Sequence, residues 1–367
     1  MGLTMQKKTK RIITVVGGVL LILLIAGTWA FYHWLGFMLV QPIPVDDSLE
    51  WGMRIVAGTG DPGFADGTSA RFNKPIRLAP FGPDAVLVAD FNNYAIRRVG
   101  LNGEVETLVG GPDRQGHTDG PSAEARFGSP HGVAVRADGA IAVTDVDHNT
   151  IRLLKPVEDD DTTARSKKYV VSTLAGIPGE SGFKDGQAGQ SLFNAPHAVV
   201  FGPDGELYVA DIGNARVRKI KDGQVSTIAG TGQFGHRDGD ITTGTLQYPM
   251  DLTIDANGTV WIADAGTCII RCWTPGQGLS TPWPDFKLDM PHGLSVTSDG
   301  GAIVAEMFAN RIVLVTPDGR VLNLCGSGEL DKGIRQLNKP AAVLLHAGYI
   351  WIADLYNHRI LVAQWQL

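Results

Sequence analysis

One phrase recurs six times along this chain, and it limits the fold more than any other feature. Its typical form is Pro, a short apolar run, a turn near Asp-Gly, a second apolar run ending in Ala-Asp, then Asn and Ile-Arg. The copies begin at Pro75, Pro130, Pro196, Pro249, Pro291 and Pro340. The acid that ends the second run is Asp90, Asp145, Asp211, Asp264, Glu306 or Asp354, 15 places after the proline in five copies and 14 in the last.

The third copy displays the underlying physics. Ala198-Val199-Val200-Phe201 and Leu207-Tyr208-Val209-Ala210 flank Gly202-Pro203-Asp204-Gly205, two apolar runs joined by turn chemistry, which predicts a hairpin. Arg216 to Ile220 then alternates basic with apolar, as a strand with one wet face does. Val225 to Ala229 follows a Lys221-Asp222-Gly223 turn. Four strands per unit make a propeller blade, and Gly 46 with Pro 20 suits short strands and tight turns. The fold class expected is all-β, a six-bladed β-propeller.

Ring closure gives an independent check. The last copy ends after its third strand, Arg359 to Ala363, near the C-terminal Leu367. Met53 to Gly60 belongs to no copy, yet it resembles the fourth strand of copy three, Ser226 to Gly232. The N-terminal strand is therefore expected to complete the last blade and remove the open sheet edges.

These units resemble NHL repeats. Asp354-Leu355-Tyr356-Asn357-His358-Arg359-Ile360 is close to that family's most recognisable stretch, and Asp90 to Arg97 and Asp211 to Arg218 follow it with small changes. The resemblance covers about residues 53–367, including linkers such as Gly63-Phe64-Ala65-Asp66-Gly67. Copies four and five depart most, with Thr267 in place of Asn, Glu306 in place of Asp, and no Asp-Gly linker before Pro291.

Ahead of the repeats, residues 12–40 contain no Asp, Glu, Lys or Arg, and Lys7, Lys8, Lys10 and Arg11 stand just before them. That pattern predicts a single-pass transmembrane helix over 12–34, a cytoplasmic segment over 1–11, a linker over 35–52 and a propeller over 53–367 outside the cytoplasm. Thr28-Trp29-Ala30 also loosely fits a signal-peptide cleavage site. The aromatic and apolar residues that continue to Val40 favour a retained signal-anchor in the cell membrane. Removing the four N-terminal cations leaves 28 basic against 38 acidic residues, a balance of -10. An acidic body without a basic stripe argues against nucleic acid as a partner.

Three sets of residues bear on chemistry. The repeated acid and the arginine seven places later (Asp90 with Arg97, Asp145 with Arg152, Asp211 with Arg218, Asp264 with Arg271), and Asp354 in the last copy, read as blade scaffolding, because a feature of most blades is a poor candidate for one active site. The linker acids Asp66, Asp119, Asp185 and Asp238 suggest calcium by composition but lack the dense acids of a calcium loop, so turn chemistry accounts for them. The residue after each repeat proline sits at the start of the innermost strand, where six blades crowd around one end of the channel. It is Ile76, His131, His197, Met250, His292 and Ala341. Three imidazoles there are candidate zinc ligands, and Asp251 is a candidate carboxylate beside them.

Peptidyl-amidoglycolate lyases are similar six-bladed propellers with zinc-binding His in the same Pro-His context, and this resemblance implies the same role for His131, His197 and His292. Ordinary NHL repeats also begin Pro-His-Gly, with His serving packing or hydrogen bonding. Cys268 and Cys272, expected on one strand, are about 13 Å apart at roughly 3.3 Å per residue and cannot pair, whereas a bridge to Cys325 stays open. The acidic stretch Glu158 to Asp161 is expected to be a solvated insertion. Two functions remain: a membrane-anchored binding or scaffold module for a protein, peptide or glycan, which needs no cofactor, or a metal-dependent hydrolase or lyase resembling lactonase or amidating-lyase propellers.

Overall fold

The computed structural model describes residues 52–157, 168–326 and 336–365. Six antiparallel sheets follow one another around a ring, and we number them as blades 1 to 6. Their innermost strands are Pro75–Pro80, Pro130–Val135, Pro196–Phe201, Pro249–Ile254, Pro291–Val296 and Pro340–His346. Each begins on the repeat proline, a place where the missing N–H costs no ladder bond. The second strands end on the repeated acid in all six blades, at Asp90, Asp145, Asp211, Asp264, Glu306 and Asp354.

The spacing between proline and acid has a physical cause. Each carboxylate folds back and accepts a backbone N–H two residues ahead of the proline: Asn73 to Asp90, Gly128 to Asp145, Asn194 to Asp211, Gln247 to Asp264, Asp289 to Glu306 and Asn338 to Asp354. All six acids are buried. One side chain thus ties the entry of the inner strand to the exit of the next.

Closure follows the expected route. Met53–Ala57 pairs antiparallel with Arg359–Gln364 in the register Met53 to Ala363 and Arg54 to Val362, giving blade 6 its outer strand. Blades 2 and 3 gain something the repeats did not announce, a two-residue fifth strand from the preceding linker, Gly120–Pro121 and Gly186–Gln187. The outer strand of blade 1, Val105–Gly110, ends at a place that needs glycine. Gly110 has φ 91°, and a Cβ there would lie 2.0 Å from the carbonyl oxygen of Tyr94.

The core fills the spaces between blades. Phe72, Val88, Trp351 and Val362 pack between blades 1 and 6, and Phe127, Ile141, Leu154 and Ile96 between blades 1 and 2. The three cysteines are free thiols. Cys268 is not on a strand, contrary to expectation: it occupies a left-handed turn at φ 63° just before the strand Ile269–Thr274, which holds Cys272. No helix among the described residues is long and apolar enough to cross a membrane. The span expected over 12–34 and the acidic insertion at 158–161 lie outside the described residues.

Candidate functional site

The innermost strands deliver the residue after each proline to one end of the channel. His131 and His197, from adjacent blades, have ring centroids 3.4 Å apart, and His292 lies 6.0 and 5.4 Å from them. The ligand nitrogens of the three rings all fall within 4.8 Å of one another, the one such metal-capable group among the described residues.

Each ring is oriented by the following blade. Nδ1 of His131 meets the carbonyl of His197 at 3.1 Å, Nδ1 of His197 that of Met250 at 2.8 Å, and Nδ1 of His292 that of Ala341 at 2.7 Å. A carbonyl only accepts, so each Nδ1 carries the proton and each Nε2 keeps its lone pair. Metal-binding imidazoles are commonly held in this manner, with the second nitrogen fixed by a backbone carbonyl.

Burial keeps the rings neutral. It lowers the pKa of His131 and His197 well below the usual imidazole range, and that of His292 to about 3, with the Arg77 guanidinium adding to the effect in all three. His131 and His292 are buried and His197 is half-buried. Ile76, Met290, Met307 and Leu355 form an apolar wall around this end of the channel, joined by Phe91, Met250 and Phe308. Phe91 meets His131 edge-on at 5.8 Å.

Asp251 is brought close but is engaged elsewhere. Its carboxylate pairs with Arg77 at 2.5 Å and accepts the backbone N–H groups of Leu252 and Leu294, both at 2.8 Å. Arg77 belongs to blade 1 and Asp251 to blade 4, which face each other across a six-bladed ring. The ion pair therefore crosses the channel one residue deeper than the histidines and forms a floor. Arg77 also donates to the Met250 carbonyl, the group that fixes His197. Sequence reading missed Arg77. Aligning the second residue after each proline (Arg77, Gly132, Ala198, Asp251, Gly293, Ala342) isolates one Arg and one Asp among small residues.

The acid and arginine pairs stand away from the channel. Arg97 meets Asp90 at 2.9 Å, Arg152 meets Asp145 at 3.5 Å, Arg218 meets Asp211 at 2.7 Å and Arg271 meets Asp264 at 3.9 Å, with all eight side chains fully buried. Each arginine also holds the linker acid of its blade: Asp66, Asp119, Asp185 and Asp238, at 2.5 to 2.7 Å. These linker carboxylates further accept hydroxyls from Thr107, Thr173, Thr227 and Thr281. Blades 5 and 6 place the arginine five residues after the acid instead, in Arg311 with Glu306 and Arg359 with Asp354.

Comparison with known proteins agrees with the repeat and the ring. The NHL repeat pattern matches residues 193–220. Human NHL repeat-containing protein 2 is 27% identical over 301 residues, which covers 76% of this chain but only 37% of that protein's length. An auxiliary nutrient binding protein from Bacteroides thetaiotaomicron superposes with a TM-score of 0.60 at 13% identity, over 85% of this chain and 75% of the other. A gluconolactonase from Xanthomonas campestris superposes at 0.55 and 13% identity, over 89% and 99%. At such identities the structural matches speak for the fold alone. Repeat pattern, relatives and ring together describe a six-bladed β-propeller that carries an NHL repeat and is similar to NHL repeat-containing proteins.

Proposed function

We propose that the channel mouth is the working site, and that a zinc ion held by Nε2 of His131, His197 and His292 makes this propeller a metal-dependent hydrolase or lyase. The observation that carries the proposal is the convergence of three neutral imidazoles whose Nδ1 protons are all fixed by backbone carbonyls. Three nitrogen donors without a carboxylate suit zinc, whereas calcium prefers a cage of oxygens. When bound there, zinc supplies Lewis acidity toward a substrate oxygen or a water. The chain's own residues orient the ligands, exclude water through the apolar wall, and close the inner side with Arg77 and Asp251. The gluconolactonase neighbour supports the class of reaction only through a shared fold.

A second reading is a binding or scaffold module for a protein, peptide or glycan. It is favoured by the same Nδ1 bonds, which stitch adjoining blades together whether or not a metal is present. Under both readings the propeller is anchored through residues 12–34 in the cell membrane, with its N-terminus cytoplasmic. The support for that is the apolar run and the cations before it.

Elemental analysis of the purified full chain tests the first reading. One zinc per chain, lost when His131 and His292 are both changed to Asn, supports it. Absence of metal after growth in zinc-supplemented medium, with a melting temperature unmoved by chelator, rejects the enzyme reading and leaves the scaffold. Protease access to the propeller in intact cells checks the topology; protection there, with cleavage only after lysis, argues against display on the outer surface.

A further inference from the structure

The position just before the repeat proline forms the outer rim of the same mouth, and its occupants are Lys74, Ser129, Ala195, Tyr248, Met290 and Lys339. The two lysines fall on blades 1 and 6, which are neighbours in the ring. Both ammonium groups approach one tyrosine: Lys74 Nζ lies 5.2 Å from the Tyr356 ring centroid and Lys339 Nζ 5.3 Å. Lys339 is also 5.2 Å from the Phe308 ring.

Both lysines are half-buried, and among the described residues neither has a carboxylate partner. Their backbones are in the left-handed region at φ 60° and 50°, the conformation that Ala195, Tyr248 and Met290 also take at this place in the repeat. Lys74 N–H is fixed by His358 Nδ1 and Lys339 N–H by Asn310. Among the described residues, then, two cations without a carboxylate beside them stand on one side of a protein whose net charge is negative. Beside them lie the apolar side chains of Phe91, Met307, Phe308 and Leu355. Tyr356 itself remains 42% exposed.

We propose that this rim recognises a small organic carboxylate with an apolar or aromatic body, its charge placed between Lys74 and Lys339 and its body against Phe308 and Tyr356. The proposal rests on the reading of the channel mouth as the ligand site and assigns its ligand class. Charge on the rim selects the ligand and speeds its capture, while the aromatic surface supplies burial.

The experiment is calorimetric titration of the full chain with benzoate, 4-phenylbutyrate and octanoate, and with 4-phenylbutyramide as the uncharged control. It is run on chelator-treated and on zinc-loaded protein, at low and high salt. At least one carboxylate is expected to bind, roughly tenfold or more tightly than the amide, with affinity falling as salt rises. Exchanging both lysines for Gln is expected to remove that preference while leaving the melting temperature within a few degrees. Equal binding of carboxylate and amide, unchanged affinity in the double variant, or no binding of any carboxylate to either preparation overturns the proposal. Carboxylate binding that persists in protein unable to hold zinc rejects the metal centre and keeps the rim. Zinc bound stoichiometrically without carboxylate selectivity does the reverse.

Discussion

His292 donates its Nδ1 proton to the carbonyl of Ala341 at 2.7 Å, across the boundary between blades 5 and 6. The ring that offers Nε2 to the channel is therefore held by a different blade from the one that carries it. Rigidity of the ring and geometry of the site are one property.

This separates two roles of the same imidazole. His292→Asn keeps a donor near the Nδ1 position but loses Nε2, so the metal-free protein is expected to stay within about 1 kcal/mol of the parent. Zinc affinity should fall by about 100-fold or more with one of three ligands gone. His292→Ala loses the interblade bond and leaves a cavity, at a cost of about 2–3 kcal/mol. Urea denaturation with chelator present, beside zinc competition against a chromophoric chelator, distinguishes the two variants. Equal metal affinity in parent and Asn variant would remove His292 from the ligand set.

Arg97 bridges two acids, fully buried Asp90 and half-exposed Asp66. Arg97→Met leaves the Asp90 carboxylate without its countercharge, and breaking a buried pair from one side typically costs about 3–5 kcal/mol. Adding Asp90→Asn should recover part of that loss, because the Asn side chain no longer needs a cation. A urea series on the three proteins checks the order, and a single variant as stable as the parent would contradict the clasp.

Asp264 gives a pH signature. Burial raises its carboxyl from 3.8 to about 7, against the opposing pulls of Thr267, the Gln247 N–H and Arg271. A carboxyl that holds its proton more tightly when folded contributes stability that is fully present below pH 3.8 and is lost as the pH rises through 7. The scale is about 1.4 kcal/mol for each pH unit in that window. The stability of the parent relative to Asp264→Asn should therefore decline between pH 4 and pH 7 and level off above. Asp90, raised to about 6 by its burial, should level off about one pH unit earlier in the same comparison with Asp90→Asn. Thermal melts across pH 4 to 8 provide the test, and a difference that grows with pH would reverse the assignment.

Val56 lies at the seam where the N-terminal strand completes blade 6, and it is buried against the cluster that holds Trp351 and Val362. Val56→Asp places a charge there, with an expected cost of about 3 kcal/mol or more. It should also free the Arg359–Gln364 edge for pairing with other chains. Light scattering beside a denaturant titration reports both effects, and a monomer of unchanged stability would argue against the seam.

Much of the architecture is legible in the chain because it is written as local chemistry repeated six times. Pro196 and Asp211 mark strand ends by what each does to its own backbone: one lacks an N–H, the other accepts one from Asn194. The N-terminal strand was readable from its likeness to Ser226 to Gly232 and from the missing last strand of blade 6. The histidines could be placed on a common ring by register alone. Misplacing Cys268 on a strand shows the limit of periodicity, since a left-handed turn leaves no mark when Cys occupies the place that Ala215 or His358 holds in other blades.

Sequence alone thus determined the number of blades, their order and closure, and the level at which His131, His197 and His292 would stand, because these depend on spacing within one repeat. Tertiary structure decided which partners those residues meet. It turned Asp251 to Arg77 across the channel, gave each linker acid to an arginine about 33 residues away, as in Arg97 with Asp66 31 positions apart, and set Lys74 beside Lys339. The last pair is 265 positions apart in the chain and adjacent only because the ring closes. No local propensity encodes such contacts; they arise when six rigid blades bring the same register position together around one axis.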